Sequence, residues 1–244
     1  MKYMQIFVVT LLVWVCGMKV LEMLGAPEEI GTYILAPIAL GIWGCFYYFS
    51  DKAEAARGLQ AAPQKRIGEL IEGEFGRISG RIVFGKKVLV APISGRNCAY
   101  YRVKLEEYRN KNQWDELFDI EKFGDIIVFD GSHYALIDVS KIKCHVVPDA
   151  EASCGLGHNA PKAFEEFLSS RKMKSTNVLH MNKTLRCEEA VIEESRALSV
   201  AGKGYWADAT ALGLDLPAQR ILVVKPGDDG FVFLTSDPDT AESS

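Results

Sequence analysis

The sequence has few of the residues and motifs that usually mark catalysis. Only four histidines occur among 244 residues, no two cysteines are spaced as Cys-x-x-Cys, and no nucleophile elbow, Walker loop or dinucleotide-binding motif is present. A basic surplus is also missing, because 28 lysines and arginines stand against 32 acidic residues and give a net charge of −4. We therefore expect no nucleic-acid partner, since such binding normally requires a basic face.

Charge is nearly absent from the first fifty residues. Met4–Leu24 contains only two charged residues, Lys19 and Glu22, and as a helix it would span about 31 Å, enough to cross a hydrocarbon core. Ile30–Phe49 has no charge at all and ends in aromatic residues, as expected at a membrane interface. We predict a membrane anchor of two transmembrane helices over residues 1–50, with the lipid bilayer as the first partner.

Two features of the anchor have alternatives. The first apolar run could be a cleaved signal peptide, although the small residues that cleavage requires are absent around residues 13–17. The second feature is sidedness. Because Lys52, Arg57, Lys65 and Arg66 follow the second run, the positive-inside rule places the soluble domain in the cytoplasm. The alternative places it on the outer or periplasmic side.

The remainder of the chain has the texture of a β-rich domain with one amphipathic helix, predicted at Ala163–Met173. Residues 51–73 are predicted as a juxtamembrane helix or linker, 74–238 as the soluble domain and 239–244 as a tail. Residues 149–161 are predicted as a loop, and 188–200 are ambiguous between helix and strand. Alternating apolar residues predict strands at Arg77–Val83, Lys87–Val90, Tyr100–Leu105, Asp125–Phe129, Tyr134–Asp138 and Ile142–Val147, and a final hairpin of Arg220–Val224 and Phe231–Leu234.

The fold class predicted from these elements is an N-terminal transmembrane hairpin followed by a mainly-β, α+β domain, built as a small barrel or a sandwich. Four cysteines fall in this domain, at positions 98, 144, 154 and 187. Their even number allows two disulfides if the domain lies outside the cell, but their spacing forms no dense framework. Reduced, buried thiols are therefore the simpler interpretation.

Two spacings invite a metal interpretation: Cys144-His145 and Cys154-x-x-x-His158. Thiolate and imidazole are natural zinc ligands, but neighbouring residues of a strand point to opposite faces. We therefore predict no metal and no cofactor. Cys98 is a candidate nucleophile for a cysteine-dependent enzyme, which would need a histidine base brought beside it by the fold. Packing of Cys98 within a strand is the favoured interpretation.

One stretch is distinctive, and its order of residues resembles a known signature. It contains Gly80-Arg81-Ile82-Val83, followed by Pro92-x-Ser94-Gly95-x-x-Cys98-x-Tyr100-Tyr101. This signature is similar to that of the GIDE family, whose "beside a membrane" domain also occurs in a mitochondrial-anchored ubiquitin ligase. The resemblance extends over roughly residues 76–238, with later landmarks at Trp114, Phe129-Asp130-Gly131, Ile137-Asp138 and Val200-Ala201-Gly202.

The family name implies a ubiquitin-ligase-like transferase, but a RING requires closely spaced zinc ligands that this sequence does not contain. We instead expect a membrane-anchored, non-enzymatic interaction module with an unidentified protein partner. The candidate interaction residues are Pro92, Ser94, Gly95, Cys98, Tyr100 and Tyr101. Within this block, alternation predicts that Tyr101 is in the core with Val103 and Leu105, and that Tyr100 is more exposed.

Overall fold

The computed structural model describes residues 51–109, 113–155, 157–176 and 182–237, with four isolated positions nearer the N-terminus. Chain contacts define two compact units, residues 1–54 and 55–244. Apart from those four positions, the two predicted membrane spans and the predicted tail lie outside the described residues. None of the helices in the described part has the length and apolar character needed to cross a bilayer.

The described chain is mainly β, which confirms the predicted β-rich domain, and it contains two α-helices longer than one turn, α1 (Asp51–Gln60) and α2 (Lys162–Ser170). The strands are β1 (Phe75–Phe84), β2 (Leu89–Val90), β3 (Asn97–Cys98), β4 (Tyr100–Arg109), β5 (Gln113–Phe123), β6 (Ile126–Phe129), β7 (Tyr134–Ile137), β8 (Ile142–His145), β9 (Ala150–Cys154), β10 (Leu185–Ile192), β11 (Ala197–Asp208), β12 (Arg220–Lys225) and β13 (Val232–Thr235).

Five strands close into a barrel, because β1 pairs with β6 on one side and with β11 on the other, and β7 and β12 complete the ring. Every second residue of these strands faces inward, and the interior is filled by aliphatic side chains such as Ile78, Ile126, Val200 and Leu222. β1 changes partners near Gly80, where a Cβ atom would lie 2.5 Å from the Phe129 carbonyl oxygen. Glycine is therefore required for this close approach.

A second sheet of four antiparallel strands, in the order β5-β4-β10-β9, extends from the barrel. Helix α2 covers one of its faces, with Phe164 and Leu168 packed against Val103 and Leu105 of β4. The opposite face is lined by charged side chains. The two-stranded pair of β2 and β3 lies at one end of this sheet, where Ala91 joins the core beneath α2.

The segment before β1 is part of the domain. Leu59 and Ala62, in and just after α1, are buried against Ala201 and Phe233 on the outer surface of the barrel. A Cβ atom at Gly58 would lie 2.2 Å from the Phe233 ring, so only glycine allows the helix to approach this closely. A short 3-10 turn at Ile67–Glu69 then places Ile67 in the barrel core.

The sequence-based elements are largely confirmed, with three differences and one open region resolved. The predicted loop at 149–161 contains strand β9, and β5 was not predicted at all. The ambiguous region 188–200 is strand on both sides of a turn. β12 and β13 are strands as predicted but do not form a hairpin with each other, because both pair with β11. Two strands that follow each other in the sequence therefore do not pair with each other here.

Candidate interaction site

The distinctive block forms a tight surface loop between β2 and β3. The Ala91 N–H donates to the Arg96 carbonyl oxygen at 2.9 Å, and the Gly95 N–H donates to the Ala91 carbonyl oxygen at 2.9 Å. Gly95 has a φ of +71°, in the left-handed region that favours glycine. Pro92 begins the turn and is half-buried, whereas Ser94, Gly95 and their neighbour Asn97 are exposed.

A buried carboxylate holds this loop from below. The Glu189 side chain is fully buried, and its two oxygens accept hydrogen bonds from the backbone N–H groups of Ile93 at 2.8 Å and Ser94 at 3.0 Å. Glu189 reaches the loop because it lies on the α2 face of β10, between Cys187 and Val191. A buried charge is tolerated when its lone pairs are satisfied in this way.

Arg96 connects the loop to two other segments. Its guanidinium donates to the two Asp149 carboxylate oxygens at 2.8 and 3.2 Å, to the Ser94 hydroxyl at 2.9 Å and to Glu193. Asp149 also accepts a hydrogen bond from Arg196 at 2.9 Å. Partial burial would raise the pKa of Asp149, but the hydrogen bonds and charges of the two arginines outweigh it and lower the pKa.

Cys98 lies beneath the loop, and its chemistry is that of a buried thiol. It has no exposed surface, and its Sγ lies 3.7 Å from the Leu89 carbonyl oxygen. Burial, together with the nearby Glu189 charge, raises the pKa of Cys98 to about 11. No histidine is among the groups that act on this thiol in the described residues. Within the described ranges, burial therefore disfavours the thiolate that a cysteine nucleophile requires, and no histidine base is seen beside Cys98.

The two tyrosines of the block lie on opposite faces of β4, as alternation requires. Tyr101 packs with Val103 and Leu105 beneath α2, as predicted. The expectation that Tyr100 is more exposed is wrong: Tyr100 is 1% exposed and Tyr101 8%. The outer face of this end of β4 is covered by the barrel, so the Tyr100 ring lies in the barrel core. No local pattern in the sequence predicts that the barrel covers this face of β4.

The Tyr100 hydroxyl is part of a short polar chain inside the domain. It donates to a Glu121 carboxylate oxygen at 3.1 Å and accepts from the Cys144 thiol at 3.4 Å. Burial raises the pKa of Tyr100, with smaller contributions from Cys144 and Glu121. The hydrogen bond between Tyr100 and Cys144 thus satisfies polar atoms that are buried. Both side chains therefore have a structural role.

The residues weighed as metal ligands do not form a metal centre. Cys144 and His145 are consecutive residues of β8, and Cys144 is buried while His145 is half-buried. Cys154 and His158 line a shallow surface cavity of about 360 Å³. In the described ranges, no group of three or more His, Cys, Asp or Glu side chains is arranged to hold a metal ion. All four domain cysteines are buried free thiols, as predicted.

A second, more polar cavity of about 470 Å³ lies between the segment that follows α1 and the β6–β7 loop. Its lining includes Lys65, Arg66, Ser79 and Asp130. Both oxygens of Asp130 already accept backbone hydrogen bonds, one of them from Ile67 at 2.9 Å. Neither cavity is lined by a residue of the distinctive block.

Sequence analysis missed the acidic residues that hold the loop. Glu189 and Glu193 are not among its candidate residues, yet Glu189 is fully buried and Glu193 pairs with Arg96. One signal was present in the sequence. In the alternation Leu185, Cys187, Glu189, Val191, a single acid occupies an inward position, and such a residue must find a buried partner.

Comparison with protein-family models, with curated proteins and with solved structures finds no match for this chain. The resemblance to the GIDE family therefore rests on the residues of the sequence itself.

Proposed function

We propose that this protein is a membrane-anchored, GIDE-like interaction module that presents a rigid protein-binding surface beside the bilayer and performs no chemistry of its own. The observation that carries the proposal is the fixed loop between β2 and β3. Its backbone is held by the buried Glu189 carboxylate, and its arginine pairs with Asp149 and Glu193. Binding residues are commonly found on exposed loops that a rigid scaffold positions in this way.

The outer side of the loop has the composition of a contact surface. Val90 is 60% exposed and lies opposite the exposed Asn97 in the β2–β3 pair. Ser94 and Gly95 form the tip of the same loop. An exposed apolar side chain lies here among small and polar neighbours. Because the loop backbone is already ordered, a partner that binds this surface loses less conformational entropy and binds more tightly.

A capture experiment on the full chain tests this function. Wild-type protein and a Val90→Glu, Asn97→Arg double variant are extracted in mild detergent, and the proteins that co-purify are quantified by mass spectrometry. Both substituted side chains are exposed, so the melting temperature should not change. We expect one or more partners to be lost from the double variant by at least about tenfold, equivalent to about 1.4 kcal/mol.

Ile71→Glu is the matched control. Ile71 is 69% exposed and belongs to the segment before β1, not to the β2–β3 loop. Its substitution adds a charge to an exposed apolar position without touching the loop, so capture should be unchanged. Equal loss of capture in both variants would contradict a role of this loop, and the absence of any specifically captured protein would contradict the proposed function itself.

A further inference from the structure

The more polar of the two cavities, called the polar cavity below, is formed by three separate parts of the domain. These are the segment 64–69, strand β1 through Ser79, and the β6–β7 loop through Asp130 and Ser132. Its volume of about 470 Å³ lies within the range of roughly 300–1,000 Å³ that is typical of small-molecule sites. The polar cavity is thus large enough for a small ligand.

A carboxylate fixes one wall of the polar cavity. The Asp130 side chain accepts hydrogen bonds from the backbone N–H groups of Ile67 at 2.9 Å, Ser132 at 2.9 Å and His133 at 2.8 Å. Partial burial would raise the pKa of Asp130, but these three hydrogen bonds outweigh it and lower the pKa. Asp130 is therefore ionised at neutral pH, and it ties the segment 64–69 to the β6–β7 loop.

The opposite end of the segment 64–69 is attached to β1 and to the residue just before that strand. Gln64 accepts a hydrogen bond from the Arg77 guanidinium at 3.0 Å, and the Lys65 ammonium group pairs with Glu74. These contacts are made whether or not a ligand is present. The cavity is therefore preorganised, which lowers the entropic cost of binding.

Hydrogen-bond donors remain available on three sides of the polar cavity. The Arg66 side chain is exposed, and its guanidinium pairs with no carboxylate of the described chain. The Ser132 side chain is also exposed. The Ser79 hydroxyl lies 2.9 Å from that of Ser199, and either can be the donor, so Ser79 can accept this bond and donate its own proton to a ligand. A guanidinium and two hydroxyls suit the several oxygens of a phosphate group.

The charges that are left for a ligand are one of each sign. Lys65 is already paired, and Asp130 is held by backbone N–H groups. Glu69 is exposed and uses one oxygen to accept from the Arg66 N–H at 3.2 Å, but its side chain forms no ion pair with that of Arg66 in the described residues. A bare anion would be attracted by Arg66 and repelled by Glu69. A ligand that carries both signs is attracted by both.

We propose that the polar cavity binds a zwitterionic phosphate ester of the phosphoethanolamine type, either as a free small molecule or as the headgroup of a bilayer lipid. The phosphate oxygens accept hydrogen bonds from the Arg66 guanidinium and from the hydroxyls of Ser79 and Ser132. The ammonium group donates to the second oxygen of Glu69. This inference goes beyond the proposed function, because it involves no residue of the β2–β3 loop and requires no protein partner.

Titration calorimetry on the full chain in dodecyl maltoside tests the proposal, because this detergent has neither phosphate nor charge. Two probes contain both groups. Phosphoethanolamine represents the free ester, and glycerophosphoethanolamine represents a lipid headgroup without its acyl chains. Two control compounds contain one group each: ethyl phosphate lacks the amine, and ethanolamine lacks the phosphate.

We expect at least one of the two esters to bind, and both control compounds to bind at least about tenfold more weakly than that ester. Tighter binding of glycerophosphoethanolamine would assign the cavity to a lipid headgroup, and tighter binding of phosphoethanolamine would assign it to the free ester. Binding of ethyl phosphate as tight as that of the esters would show that the ammonium group is not recognised and would overturn the inference. Absence of binding by both esters would overturn it as well.

Protein variants test the two charged side chains separately. Arg66→Gln removes the cation and should weaken the bound ester and ethyl phosphate alike, by at least about tenfold for the ester. Glu69→Gln keeps an oxygen that accepts from the Arg66 N–H but loses the negative charge. It should weaken the ester and leave ethyl phosphate no weaker, a difference that a merely structural role would not produce.

Lys141→Gln is the matched control for the loss of one positive charge, since Lys141 is exposed and does not line the polar cavity. Binding of the ester should be unchanged in this variant. Melting temperatures should be the same for all three variants, because the substituted side chains are exposed. Full ester binding by Arg66→Gln, or an equal loss in Lys141→Gln, would contradict the assignment of the site.

Discussion

The barrel and the four-stranded sheet are built from similar alternating strands, but the barrel is closed and the sheet is open. The barrel closes on itself through β1, so its inward-facing residues form one core, which Ile67 and Tyr100 complete from outside the ring. The sheet remains open, with α2 on one face, charged side chains on the other, and β5 and β9 as its terminal strands in the described chain. Closure removes edges and favours stability, whereas an open sheet leaves backbone groups available for a partner.

The two regions are joined through one strand. Tyr100 lies in the barrel core and Tyr101 in the core beneath α2, although they are consecutive residues of β4. Neither core is complete without this strand. The comparison therefore predicts a single cooperative domain, in which the barrel does not survive damage to the sheet.

The largest expected effect tests whether β4 links the two cores into one cooperative unit. Tyr100→Ala and Tyr101→Ala should each lower the free energy of unfolding by about 3–5 kcal/mol, because each removes a buried aromatic ring from a different core. The measurement is urea unfolding of the full chain in detergent. Tyr108→Ala is the control, since Tyr108 is 40% exposed on the same strand and should cost much less. Two separate unfolding transitions in either variant would show that the barrel and the sheet fold independently.

An intermediate effect concerns the β2–β3 loop at one end of the four-stranded sheet. Glu189→Ala leaves the partly buried N–H groups of Ile93 and Ser94 without their acceptor, at a total cost of about 1–3 kcal/mol. Glu189→Gln keeps one acceptor oxygen and should recover part of this loss. Thermal unfolding of both variants measures the difference. A Glu189→Ala protein as stable as Glu189→Gln would mean that the loop is not held by these two hydrogen bonds.

The smallest expected effect depends on pH. Because the pKa of Asp149 is lowered in the folded protein, its ionised form contributes stability that is fully present above its unfolded pKa of about 3.9. That contribution is lost as the pH falls through the lower, folded value. The stability difference between wild type and Asp149→Asn should therefore be constant near neutral pH and shrink below about pH 4. A stability difference that does not shrink below about pH 4 would contradict a stabilising role of ionised Asp149.

The β-rich character, α2 and most strands could be predicted because their signals are local. Arg77–Val83 alternates over the part of β1 that lines the barrel, and Asp130-Gly131 marks the turn between β6 and β7. β5 escaped prediction because an edge strand with two partly solvated faces has weak alternation, and its bulge at Leu117 shifts the period. The membrane spans at Met4–Leu24 and Ile30–Phe49 stay predictions.

By itself, the sequence determined most of the segments that become strands and the side chains that are too apolar to stay in water. The strands follow from alternation with a period of two residues, and the buried side chains follow from the cost of exposing apolar groups to water. Only the tertiary structure decided which strands pair, which face of β4 the barrel covers, and where Glu189 finds its partners. Those outcomes depend on contacts between residues such as Tyr100 and Cys144, which are distant in the chain and meet only when the barrel closes.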